Sequence, residues 1–252
     1  MTFIPDATLL HEHRKWLERF DPQHLMNWEK LLANDQQAAL CESAARRLLL
    51  QNGNSVEPNE LLDGSRKSPD FRCAQAGKKF FAEVTCISIG KATEYTGLSH
   101  LPSTTSGFSF SGFGGLSGAI FRECISKTRQ CADLPHPAIL VVGTFHWMAS
   151  YLCFEKRHIE LLLTGETTLT QNINPQTGGP VGDDYVSTEL KAAAFLRPIN
   201  GWIDHARNPI AAILACGFGV EQPNVRCAFH PKPVRCFSSE FIPQIECCRL
   251  EP

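Results

Sequence analysis

Residues 68–88 read Ser68-Pro69-Asp70-Phe71-Arg72-Cys73-Ala74-Gln75-Ala76-Gly77-Lys78-Lys79-Phe80-Phe81-Ala82-Glu83-Val84-Thr85-Cys86-Ile87-Ser88. Two apolar-rich runs flank Ala76-Gly77-Lys78-Lys79, and glycine there suits a tight hairpin turn that needs positive φ. A two-residue turn at Ala76-Gly77 sets Asp70 directly across from Glu83. A turn at Gly77-Lys78 pairs Asp70 with Thr85 instead. In either register Asp70 and Glu83 share a face, because side chains alternate with period two and the partner moves by two. A three-residue loop would break that relation. Carboxylates this close repel, so they raise one pKa, share a proton or bind a cation. Hard oxygen ligands of this kind suit Mg2+, with water and substrate phosphate completing the shell.

With Pro69-Asp70 before the turn and Glu83-Val84-Thr85 after it, the stretch resembles the PD-(D/E)xK nuclease superfamily, the restriction-endonuclease-like fold. The resemblance implies an α/β core of order α-β-β-β-α-β, with a mixed central sheet flanked by helices. It also implies Mg2+ (or Mn2+) held by Asp70, Glu83 and the carbonyl of Val84, and hydrolysis of phosphodiester bonds in nucleic acid, DNA in the first place. Thr85 departs from the family pattern, which has lysine there to position or activate the attacking water and to stabilise charge. The departure bears on cleavage more than on metal binding.

Two further segments extend the resemblance. Residues 116–132 read as a helix with Ile120, Cys124, Ile125 and Thr128 on one side. On it Lys127 and Gln130 match the K-x-x-Q spacing that several branches of the superfamily direct at the catalytic pocket, one turn apart on one face. Lys127 would then supply the positive charge that Thr85 cannot, and Gln130 would orient a ligand or the water. Ahead of the hairpin, Glu42 lies on a strongly periodic helix, where the family often adds an acid facing the metal. Arg46 and Arg47 follow one turn later as phosphate contacts or as a solvated face.

Length and composition set the frame. At 252 residues the chain is long enough for one elaborated domain: a core at about 36–146, a helical extension at 1–35 and sheet and helix additions at 147–252. The formal net charge of −2 offers no global pull toward nucleic acid, so binding must use a local basic patch. No apolar run approaches the roughly 20 residues that span a bilayer, and residues 1–13 lack an apolar signal core. A cytoplasmic location without a membrane partner is therefore expected. Eleven scattered cysteines fit reduced thiols. Homodimerisation stays open.

In chain order, residues 7–20 read as a surface helix, with His11 and His13 as surface features. Asp21-Pro22 is a break, and a helical segment runs over 28–51 with an interruption at Asn34-Asp35. Val56 falls in a short strand, and Glu57 and Glu60 read as surface acids. After the hairpin, whose last strand is expected to end around 88–90, residues 91–118 form a long Gly/Ser-rich loop. Its Phe108, Phe110 and Phe113 either stack on bases or anchor the loop to the core. Residues 138–144 form a fully apolar run suited to a buried central strand. Beyond it come a helix at 151–163, an exposed loop at 164–184, an ambiguous stretch at 185–195, a strand or short helix at 209–216, and a strand at 225–230.

Competing classes are visible in the same residues. Cys227, His230 and Cys236, or the adjacent Cys247 and Cys248, lack paired C-x2-C spacing and make a poor zinc site. Nothing resembles a hydrolase elbow or a P-loop. A catalytically inactive nuclease-fold protein that binds nucleic acid or protein is the first alternative. A second is another enzyme or a small-molecule binder whose Phe-rich loop closes over an apolar pocket.

Overall fold

Gln75 and Lys78 are register partners, so the chain turns on Ala76-Gly77. Both residues have positive φ, 49° and 78°, as the mirror-image turn of a two-residue hairpin requires. A computed structural model describes residues 6–59, 68–101, 113–170, 174, 176–177, 179, 181–182, 185–189, 193–197 and 201–249. The hairpin strands are β2 (Phe71–Gln75) and β3 (Lys78–Cys86), paired antiparallel from Phe71↔Ala82 to Gln75↔Lys78. One rung further on, Asp70 faces Glu83, the first of the two registers that the sequence allows.

Ahead of the hairpin come α1 (Ala7–Leu17), α2 (Pro22–Asn34), α3 (Gln36–Gln51) and β1 (Ser55–Pro58). Asp35 ends α2 and caps α3, its carboxylate accepting from the N–H of Ala38 at 3.0 Å. After the hairpin follow α4 (Ile89–Thr96), α5 (Phe113–Cys131), β4 (Ala138–Thr144), α6 (Trp147–Leu152) and α7 (Lys156–Thr164). The chain continues with β5 (Glu166–Thr170), β6 (Tyr185–Glu189), β7 (Ile210–Gly217), β8 (Asn224–Phe229) and β9 (Glu246–Cys248).

Seven strands form one mixed sheet in the order β1-β2-β3-β4-β7-β8-β9, and β5 and β6 pair separately. The sheet is antiparallel across β1-β2-β3, parallel across β3-β4-β7, antiparallel at β7-β8 and parallel at β8-β9. Alternation sorts its side chains onto two faces. Phe80, Ala82, Val84, Ile139, Val141 and Leu214 pack with α1, α2 and α3. Phe81, Leu140, Val142 and Ile213 pack with α4, α5, α6 and α7. β4 and β7 are buried along their whole length, as central strands covered on both faces must be. The architecture is α/β, a mixed sheet flanked by helices.

Several boundaries differ from the sequence reading. β3 ends at Cys86, and α4 occupies the start of the expected loop. Ser88 caps it by accepting from the N–H of Lys91 at 3.3 Å, and Gly97, at φ 67°, ends it in the left-handed region. The stretch 151–163 holds the end of α6 and most of α7, separated at a buried Cys153-Phe154. β5 lies inside the expected exposed loop, and β9, three residues long, is too short to show alternation. Glu60, Phe108 and Phe110 lie outside the described residues, as does the side chain of Phe113.

At the carboxyl ends of β4 and β7 the backbones approach closely. A Cβ on Gly217 would come within 2.7 Å of the Cα of Ser150 on α6, and one on Gly219 within 2.6 Å of the carbonyl oxygen of Phe145. Ser150 fixes this corner, its hydroxyl donating to Thr144 O at 3.3 Å and accepting from Gly219 N at 3.0 Å.

Candidate active site

β2 ends just short of Asp70, so the backbone of β3 loses its antiparallel partner there. The side chain takes over: Asp70 Oδ2 accepts from the N–H of Val84 at 2.6 Å. In a strand, one residue's N–H and C=O point to the same side. Phe81 and Ile87 direct their N–H groups to Pro137 O and Gly143 O on the β4 side. Val84, odd to their register, directs its carbonyl past the end of β2 and alongside Asp70.

Glu83 lies on the opposite face of β3 from Val84, toward α5, and is 1% exposed. Lys127 reaches it from that helix, Nζ to Oε1 at 2.7 Å, with its own side chain 25% exposed. Thr85 points the same way and donates its hydroxyl to Glu123 Oε2 at 3.0 Å. Glu123 and Lys127 stand four apart on α5, one above the other. Gln130 is half-buried a turn beyond Lys127, and its side chain makes no hydrogen bond with the described residues.

The field at this cluster is negative. Burial pushes the Asp70 carboxyl well above the usual carboxylate range, and Glu83 and then Glu42 push it the same way. The Val84 N–H and the Lys127 ammonium oppose the shift without reversing it. Burial works to lower the Lys127 ammonium, but Glu83, Asp70 and Glu123 outweigh it, and its pKa rises. Lys127 is therefore a fixed positive charge at neutral pH.

Glu42 approaches from the other side. It sits half-buried on α3 and lines a cleft with Asp70, His13, His24, Leu17, Trp28, Pro58 and Phe71. Asp70, just before the start of β2, thus lies between the Glu42 cleft and the Glu83–Lys127 pair. His11 is exposed as expected, but His13 is 1% exposed, which corrects its reading as a surface residue. It belongs to the apolar stripe of Leu9, Trp16 and Leu17 and stacks on Trp28 at 4.9 Å. Burial and the Arg46 charge pull its imidazole down to about 3, so the ring is neutral. Arg46 is buried over the Trp16 ring at 5.2 Å, whereas Arg47 pairs with Glu12 at 3.2 Å and Asp6 at 3.8 Å.

Among the described residues, no three His, Cys, Asp or Glu side chains are grouped so that they could hold a metal ion. A Mg2+ site asks for less, one or two carboxylates with waters and substrate oxygens. Asp70, Glu83 and the Val84 carbonyl are hard oxygen donors, and a cation would relieve the share of the Asp70 shift that Glu83 and Glu42 add to the larger effect of burial. In chemical type these donors suit Mg2+ or Mn2+, and they do not make a cage of three protein side chains.

Sequence reasoning missed Glu123, although it lies one turn before Lys127 on the same stripe, and His13, although it completes the i, i+4, i+7 pattern of α1. All eleven cysteines are free thiols. No helix among the described residues is long and apolar enough to cross a membrane. No family model, no curated protein and no solved structure matches the chain.

Proposed function

We propose that the chain is a divergent metal-dependent nuclease of the restriction-endonuclease-like kind, hydrolysing phosphodiester bonds of nucleic acid, with DNA as first substrate. The observation that carries this reading is the reach of Lys127 from α5 to Glu83, in a field that also holds Asp70 and Glu42. An ammonium therefore stands beside the hairpin carboxylates even though Thr85 replaces the motif lysine. The run α3, β1, β2, β3, α5, β4, interrupted by α4, follows the expected core order and supports the same reading.

In this mechanism Asp70, Glu83 and the Val84 carbonyl would hold Mg2+ or Mn2+, and Glu42 would add negative charge from the cleft side. When bound, the cation lowers the pKa of a water and offsets charge on the scissile phosphate. Water oxygen would attack phosphorus and lose its proton to solvent, while the bond to the leaving sugar oxygen breaks and that oxygen takes up a proton from solvent. Lys127, protonated throughout, stabilises negative charge on the phosphoryl oxygens rather than acting as a base. Gln130 orients the water or a phosphate oxygen. Arg122 and Arg129, exposed on α5, provide local positive charge for the nucleic-acid backbone in a chain of net charge −2.

The test is cleavage of plasmid and single-stranded DNA with Mg2+ or Mn2+, comparing wild type with Asp70→Ala, Glu83→Ala and Lys127→Ala. Metal-dependent cutting, lost in the first two and reduced by roughly 100-fold in the third, is expected. One observation favours a second reading, a catalytically inactive member that binds nucleic acid or protein: Thr85 is engaged with Glu123. Salt-dependent DNA binding without cutting by the wild type would select that reading.

A further inference from the structure

The cleft between α1, α2, α3 and the start of β2 leaves about 20 Å³ in which a water can be placed. That is room enough for an ordered water molecule. Its polar lining comes from His13, His24, Glu42 and Asp70, and its walls from Leu17, Trp28, Pro58 and Phe71. His13 is clamped there by aromatic rings, stacked on Trp28 at 4.9 Å and edge-on to Trp16 at 5.1 Å. Its Nδ1 is buried and has no hydrogen-bond partner among the described residues. A buried imidazole nitrogen without a partner costs free energy, and a water in the polar cleft that His13 lines would offer the ring a partner.

We propose that His13 is a positioning residue of the acid site, holding one ordered water with Glu42 and Asp70. Neither a packing histidine nor a surface one accounts for these observations together. As packing, His13 would serve no better than phenylalanine, which carries no nitrogen to satisfy. The water ties the α1–α2 layer to the carboxylates: His13 fixes its place, and its remaining hydrogen bonds go to Glu42 and Asp70. Through it the ring sets the orientation of the acids without touching substrate. The effect on catalysis rests on the nuclease reading, while the water itself does not.

A high-resolution crystal structure of the metal-free, full-length wild type tests the water directly. Expected is a water oxygen within ~3 Å of His13 Nδ1 and of an oxygen of Glu42 or Asp70. A well-ordered His13 with no water at Nδ1 overturns the proposal. His13→Phe, which keeps the ring stack, is expected to lower kcat for plasmid cleavage by about 10–100-fold with KM unchanged, as for residues that orient metal ligands. His13→Asn, restoring a polar group, is expected to recover part of that loss. Wild-type kcat in His13→Phe overturns the positioning role. A wild type that cuts nothing overturns the nuclease reading instead, and the crystal structure still decides the water.

Discussion

Glu83 is a carboxylate 1% exposed, and its ion pair with Lys127 is dry on the carboxylate side while the lysine side chain is 25% exposed. Removing one partner of a buried pair strands the other, so Lys127→Met should destabilise the metal-free protein by about 3 kcal/mol. Urea unfolding in chelator measures it, and added Mg2+ should return part of the loss; a change below ~1 kcal/mol would class the pair with surface bridges. Asp70 has the opposite sign. A carboxyl whose folded pKa is raised binds its proton more tightly folded than unfolded, so it stabilises most below its ordinary value of 3.8. That contribution is lost as pH rises from there through the folded pKa, at up to ~1.4 kcal/mol per pH unit. Asp70→Asn should therefore melt higher than wild type near neutral pH, with the gap closing toward pH 4. His13 contributes a loss in acid, because its lowered pKa favours the neutral ring and stability falls as pH drops from 6.5 toward about 3. The relation of Asp70 to Glu83 was legible from strand alternation, and the spacing of Lys127 from helix geometry. Glu123 was not, because a helical acid looks the same in sequence whether it faces water or a threonine.

The hairpin is where element and site meet. Gly77 has φ 78° and no described residue within 4 Å of where a Cβ would sit, so Gly77→Ala costs backbone strain, about 1 kcal/mol. Ala76 has φ 49° without glycine's freedom, and Ala76→Asn should stabilise by several tenths of a kcal/mol, since Asn-Gly is preferred in this turn. Both shifts are read as changes in urea midpoint at unchanged slope. Elements with strong periodicity or unbroken apolar runs, α3 and β4 above all, were readable. α4 was hidden because Gly90 and the polar Lys91, Thr93 and Glu94 resemble a loop, and its capping serine marks a helix only once the chain's path is known. β9 was hidden because three residues carry no pattern; its place depends on pairing with β8, a contact between distant parts of the chain.

Over the whole molecule, class was legible and strand order was not. Alternating helices and strands with one fully apolar strand indicate an α/β sheet, but nothing local shows that β7 enters beside β4 or that α1 and α2 roof the Glu42 cleft. The close corner at α6 gives a test at this scale: Gly217→Ala would press a methyl within 2.7 Å of backbone at Ser150, and should destabilise by about 3 kcal/mol or more in thermal melts. That corner has another consequence. Open α/β sheets usually receive ligands in the crevice beyond the carboxyl ends of their parallel strands. Here α6, Phe145 and Phe218 stop that mouth, with glycine on the strands to let them close. On the proposed nuclease reading, chemistry is displaced sideways to the antiparallel flank, and new specificities would arise by remodelling the hairpin and its helical roof while the strand ends stay corked.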